Sequence, residues 1–195
     1  MAVVTALRRA GCDRVAVEVD GAAWRVLPAE VVLKARLRVG STLDRPTLRL
    51  LRRELRRAEA LAAAARALAV SDHSERALTE KLARRGIAPA VRAEAIRALE
   101  RSGLVDDRRA ASSRARALAE RGYGDAAVVA DLERRGIDSA IIEQALAALQ
   151  PETDRAALVV GKRGAGPRTA RFLGSRGFSP EAVEAACGVD FANDP

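Results

Sequence analysis

Aromatic residues are nearly missing from this 195-residue chain, which has one Trp, one Tyr and three Phe. Nucleic-acid-binding sheets built on stacked rings need several aromatics on one face, so that class is disfavoured. The two cysteines, Cys12 and Cys187, are far apart and have no CxxC spacing, which argues against a disulfide scaffold. His73 is the only histidine and lies beside Asp72 and Ser74, where it reads as a surface residue. With no second histidine and no evident Ser–His–Asp set, neither a metal site nor nucleophilic catalysis is supported, and no cofactor is expected. The N-terminus lacks a long apolar run, so the expectation is no signal peptide, no membrane span and a cytoplasmic protein. Lysine is scarce too: apart from Lys34, Lys81 and Lys162, all 34 basic residues are Arg.

What is present is Ala, Leu, Val and Arg. The chain is 49% hydrophobic and 31% charged, a globular composition. Its formal net charge of +8 points to a polyanion or an acidic protein surface as partner. The excess is localised. Residues 1–69 carry 14 basic and 7 acidic groups, whereas 70–150 carry 14 and 13, and 151–195 carry 6 and 6.

The first segment is the least helical. Arg14–Val19 alternates and is rich in Val, Asp20-Gly21 follows, and Ala22–Leu27 is a second short run ended by Pro28. Two such runs around Asp-Gly predict a β-hairpin, with Trp24 as its core anchor. Residues 29–38 read as a short helix closed by Gly40. Asp44 is an N-cap with Pro46 in the first turn, and the helix beyond it extends to about residue 69. Leu48, Leu51, Leu55, Ala58, Ala62, Ala65 and Leu68 form one apolar stripe along it. Arg49, Arg52, Arg53 and Arg56 recur at i, i+3, i+4 and i+7 and form a basic face.

The remainder reads as short helices: 75–85, 89–101, 106–121, 138–149, 153–163 and 179–187, with others between. An internal repeat runs through them. Lys81-Leu-Ala-Arg-Arg-Gly-Ile87 matches Asp131-Leu-Glu-Arg-Arg-Gly-Ile137, and Phe172-Leu-Gly-Ser-Arg-Gly-Phe178 is a diverged third copy. Each Gly follows a helix and precedes a turn and another helix, which gives three units of three helices. Units this small must lean on their neighbours, so the expected fold is mainly α: three tandem three-helix repeats in an elongated curved array, behind a small N-terminal β-hairpin module. The expected divisions are 1–45 for the hairpin module, 46–103 for the basic helix and first repeat, 104–150 and 151–188 for the second and third repeats, and 189–195 for a tail.

Ser74-Glu-Arg-Ala-Leu-Thr-Glu-Lys-Leu82, Gly86-Ile87 and Ala98-Leu-Glu-Arg-Ser-Gly-Leu-Val-Asp-Asp107, with the second and third copies after them, resemble the RecX family of recombinase regulators. The resemblance spans residues 58–187. Gly103, Val105, Asp106 and Asp107 match the family's Gly–aromatic–apolar–Asp–Asp turn, although Leu104 stands at the aromatic position and Ala110 or Ala111 where a Phe is usual. It implies tandem three-helix repeats without enzymatic activity. It also implies binding in the groove of the RecA filament on single-stranded DNA, with inhibition of ATPase, filament growth and strand exchange. Some members bind DNA directly. A monomer is expected.

Each candidate residue has a plainer reading beside the functional one. The stripe Arg49, Arg52, Arg53 and Arg56 is a solvated helix face or a contact to DNA phosphates or acidic RecA loops. Arg84-Arg85 and Arg134-Arg135 recur at one place in consecutive units. They compensate helix dipoles or form a basic row against the filament. Asp106-Asp107 resembles an acid–base pair, but an N-cap plus a first-turn acid explains it better. Gly161–Thr169 fails the Walker pattern because Pro167-Arg168 replaces Lys-Ser/Thr, and it reads as a loop with Pro167 at a helix start. The alternative to a recombinase regulator is a sequence-independent DNA-binding protein acting alone, with steep salt dependence.

Overall fold

Alternating Val-rich segments at the N-terminus and glycine-punctuated Ala/Leu segments after them produce a small sheet followed by helices. The computed structural model describes residues 2–188. Strands β1 (Val4–Arg9), β2 (Arg14–Val19) and β3 (Ala22–Pro28) form an antiparallel sheet of order β1-β2-β3. Asp20 and Gly21, at φ 49° and 80°, make the two-residue turn of the expected hairpin, with Val19 paired to Ala22. The third strand, β1, was not read from the sequence. It is held by the Val3 amide donating to Asp20 Oδ1 and the Gly21 amide donating to Thr5 Oγ1.

Ten helices follow among the described residues: α1 (Ala29–Lys34), α2 (Arg45–Leu68), α3 (Glu75–Arg84), α4 (Pro89–Arg101), α5 (Asp107–Glu120), α6 (Asp125–Arg134), α7 (Ser139–Ala147), α8 (Glu152–Arg163), α9 (Pro167–Ser175) and α10 (Pro180–Cys187). The short helix expected over 29–38 stops at Lys34, because Arg36 takes φ 53°, left-handed backbone that no helix continues through. Asp44 caps α2 by accepting from the Thr47 amide at 2.8 Å, and Asp106 caps α5 by accepting from Arg108 and Arg109.

The three glycines of the repeat do the same job. Gly86, Gly136 and Gly177 have φ of 73°, 71° and 80°. The next residue in each case donates back to the helix: Ile87 to Leu82 O, Ile137 to Leu132 O and Phe178 to Leu173 O. This is the glycine-terminated helix end that the sequence pattern requires.

The chain divides into two compact units, Met1–Ala69 with Thr79–Arg101 and Val70–Leu78 with Ser102–Pro195. In the first, Val4, Val17, Leu27, Val31, Leu37 and Leu51 join sheet, α1 and α2 into one core. The far end of α2 buries Ala60, Ala63, Ala64 and Ala67, and α4, packed on it, buries Ala95, Ile96 and Leu99. In the second unit, α5, α6 and α7 enclose Ala111, Ala115, Leu118, Val128, Leu132 and Ile142, and α8, α9 and α10 enclose Ala156, Ala170, Leu173, Phe178, Ala182 and Val183. The tail at 189–195 lies outside the described residues.

Trp24 is not the core anchor that the hairpin pattern suggested. β2 pairs Val17 with Arg25 and Glu18 with Ala23, so Trp24 is the extra residue of a β-bulge. The bulge breaks the alternation and leaves Trp24 36% exposed, while Val17 and Leu27 fill the core.

A docking device recurs within the second unit. Ser74 Oγ donates to the Arg135 carbonyl at 2.7 Å, and the Gly124 amide donates to the Arg176 carbonyl at 2.9 Å. Beside each bond, a first-turn acid of the helix two further along the chain, α5 or α8, accepts from the amide that starts α3 or α6. Asp107 takes the Glu75 N–H at 2.8 Å and Glu152 takes the Asp125 N–H at 2.6 Å. Glu152 also accepts from the Ser179 amide at 3.2 Å. Asp107 thus serves a structural end, which the plainer reading of Asp106-Asp107 anticipated.

Candidate protein and nucleic-acid interface

The arginines of the basic face project from α2 because the opposite face supplies Leu51 and Ala60 to the core. Arg49, Arg52, Arg53 and Arg56 are all exposed. They are not equivalent. Arg53 Nη2 lies 3.0 Å from Oε1 of Glu54, whose carboxylate is buried, so Arg53 neutralises an otherwise costly charge. Arg57, one turn along, pairs with Glu94 of α4 at 3.1 Å. Arg49, Arg52 and Arg56 make no ion pair among the described residues and keep their charge available.

The twin Arg-Arg pairs also differ. Arg84 and Arg85 are exposed at the end of α3, without an ion pair among the described residues. Arg134 and Arg135 both bond Asp131. Arg135 Nε reaches it at 2.8 Å and Arg134 Nη2 at 3.4 Å. Arg114 of α5 approaches the same carboxylate at 2.8 Å. Three guanidiniums around one carboxylate tie α5 to α6.

The Arg114 hydrogen bond, with Arg135 behind it, holds Asp131 at a pKa of about 2, against an ordinary 3.8. A carboxylate depressed in the folded state contributes stability that is fully present above its unfolded pKa and lost as pH falls through the folded one. Wild type should therefore lose part of its advantage over Asp131→Asn between about pH 4 and pH 2, by at most about 2 kcal/mol before solvent screening. Urea denaturation at both ends of that range measures it.

One surface was missed by the sequence reading. In the second unit, Arg163 stacks over Phe172 at 4.0 Å, Arg176 lies 5.0 Å from Phe172 and 4.4 Å from Tyr123, and Arg121 lies 5.9 Å from Tyr123. These five residues make an alternating ladder of guanidinium and ring. The low aromatic content argued against stacking platforms as a class, yet two of the few rings converge here. No local motif could have revealed it, because its residues come from the α5–α6 turn, the end of α8, and α9 with its following turn.

Thr169 is buried, and Pro167 opens α9 as expected. His73 Nε2 lies 3.4 Å from Ser71 Oγ. Cys12 is exposed and Cys187 buried, and both are free thiols. No cluster of three or more His, Cys, Asp or Glu suited to a metal occurs among the described residues, and no helix there is long and apolar enough to cross a membrane.

Residues 106–146 match the family model for the second three-helix domain of RecX. No curated protein sequence matches the chain. A structure described as the crystal structure of regulatory protein RecX is similar, with a TM-score of 0.77 and 20% identity, over 97% of this chain and 100% of its own. RecX from Lactobacillus salivarius is similar with a TM-score of 0.58 and 19% identity, over 67% of this chain and 94% of its own. At these identities the structural likeness is one of fold.

Proposed function

With assignment to the RecX family as premise, supported by the domain match and the shared fold, we propose that this protein is a non-enzymatic cytoplasmic regulator of RecA. It binds the RecA filament on single-stranded DNA and lowers its ATPase, growth and strand exchange by occupying the filament groove and restricting protomer movement. The observation that carries this reading is the end-to-end correspondence with a RecX regulatory protein, 97% of one chain against 100% of the other. The exposed arginines support it, since Arg49, Arg52, Arg56, Arg84 and Arg85 offer cations to acidic protomer surfaces or to phosphates.

Titration into RecA on single-stranded DNA with ATP, following ATPase rate and filament length together, tests the reading. Both should fall as the protein is added, and an unchanged ATPase rate at saturation would count against it. The triple variant Arg49→Glu, Arg52→Glu, Arg56→Glu should need at least about tenfold more protein for half-inhibition. Arg53 is left in place because its loss would unpair buried Glu54.

The guanidinium–ring ladder favours a second reading, direct sequence-independent DNA binding. In that case single-stranded DNA binds without RecA, the affinity drops steeply with salt, and Tyr123→Ala with Phe172→Ala weakens it.

A further inference from the structure

The bulge that takes Trp24 out of the core places it on the rim of an apolar cleft between β3 and α2. The floor is aliphatic, formed by Val19, Leu27, Leu48 and Leu55. The cleft holds about 440 Å³, within the range of roughly 300–1,000 Å³ typical of ligand sites. Its polar rim has one sign. Arg25 and Arg52 line it and no carboxylate does. Arg49 and Arg56 continue the cationic edge along the exposed face of α2. The N-terminal third, which contains the cleft, also carries nearly all of the chain's positive excess.

These features select among partners. A bare aliphatic cleft excludes water poorly and gains from an apolar side chain seated in it. The arginine rim favours carboxylates flanking that side chain and repels basic segments. A nucleic acid would match the rim but leave the aliphatic floor unused, because bases stack on rings and only Trp24 is aromatic here. We propose that this cleft is a docking site for an acidic peptide segment of a partner protein. An aliphatic or aromatic anchor residue would enter beside Trp24, and flanking Asp or Glu side chains would meet Arg25 and Arg52. The inference rests on the cleft's own chemistry and not on the recombinase reading, and its test needs no RecA.

Trp24 is the only tryptophan in the chain, so its emission reports on this cleft alone. Full-length protein is panned against a random peptide library, and recovered peptides are titrated while Trp24 fluorescence is followed. The expected result is enrichment of sequences with Asp or Glu around a large apolar residue, and a saturable blue shift as water leaves the indole. Arg25→Gln with Arg52→Gln, which removes two exposed cations that make no ion pair among the described residues, should weaken binding by about tenfold or more with an unchanged circular dichroism spectrum. Recovery of no peptide or of non-acidic peptides overturns the proposal, as does binding that ignores the double variant. A single-stranded oligonucleotide that shifts Trp24 and displaces the peptides also overturns it, by assigning the cleft to nucleic acid.

Discussion

Replacing Arg155 by Met is expected to cost the second unit about 3 kcal/mol, read as a lower urea midpoint with an unchanged slope. The side chain is only 7% exposed, and each of its three guanidinium nitrogens donates a hydrogen bond inside the protein. Nε donates to the Gln150 carbonyl at 3.0 Å, Nη1 donates to the Tyr123 carbonyl at 3.0 Å, and Nη2 donates to Asp125. Its guanidinium also faces the Phe178 ring. Met nearly fills the volume but leaves two carbonyls and a carboxylate without a donor. The cost falls at the low end for a broken buried pair, because Asp125 is 40% exposed and can rehydrate. Arg155→Lys should recover only part of it, since an ammonium cannot reproduce a planar fork reaching three acceptors.

Gly124→Ala is expected to destabilise by about 2–4 kcal/mol, while Gly161→Ala should stabilise by up to about 1 kcal/mol. The contrast follows from surroundings. A Cβ on Gly124 would land on the Gly177 carbonyl and the Phe178 amide, backbone atoms that cannot swing aside. A Cβ on Gly177 would sit 2.6 Å from the Ala127 amide nitrogen, and Gly177 also holds φ 80°. The two glycines let the turn before α6 and the turn after α9 approach closely enough for the Gly124 amide to reach Arg176 O. A Cβ added to Gly161, inside α8, would meet no heavy atom within 4 Å beyond its chain neighbours and its own helix backbone, so Ala there only reduces the entropy of the unfolded chain and improves helix propensity. Equal effects in the two variants would show that the glycine contact is not what joins these helices.

The local features were legible. The helix starts at Asp44 and Asp106, the helix ends at Gly86, Gly136 and Gly177, and the Asp20-Gly21 turn each depend on a few consecutive residues. Their geometry is set by side-chain capping and by backbone that only glycine adopts cheaply, so reading them required no knowledge of distant neighbours. The basic face of α2 followed from the helical period for the same reason.

The use of each side chain was not legible. Nothing in the shared Arg-Arg-Gly-Ile distinguishes Arg135, committed to Asp131, from Arg85, which stays exposed. That difference depends on Asp131 occupying the place where the first copy has Lys81, and on Arg114 approaching from another helix. The hairpin pattern suggests a core role for Trp24, whereas the bulged pairing of β3 with β2 leaves it 36% exposed. The guanidinium–ring ladder joins residues up to 55 positions apart, from Arg121 to Arg176. The amino-acid order therefore determined by itself where helices begin and stop, that the unit is repeated, and where the positive charge collects. Only the tertiary structure decided which arginines are spent on carboxylates within the fold and which remain for a partner, because pairing energies depend on distances between segments that the order of residues does not specify.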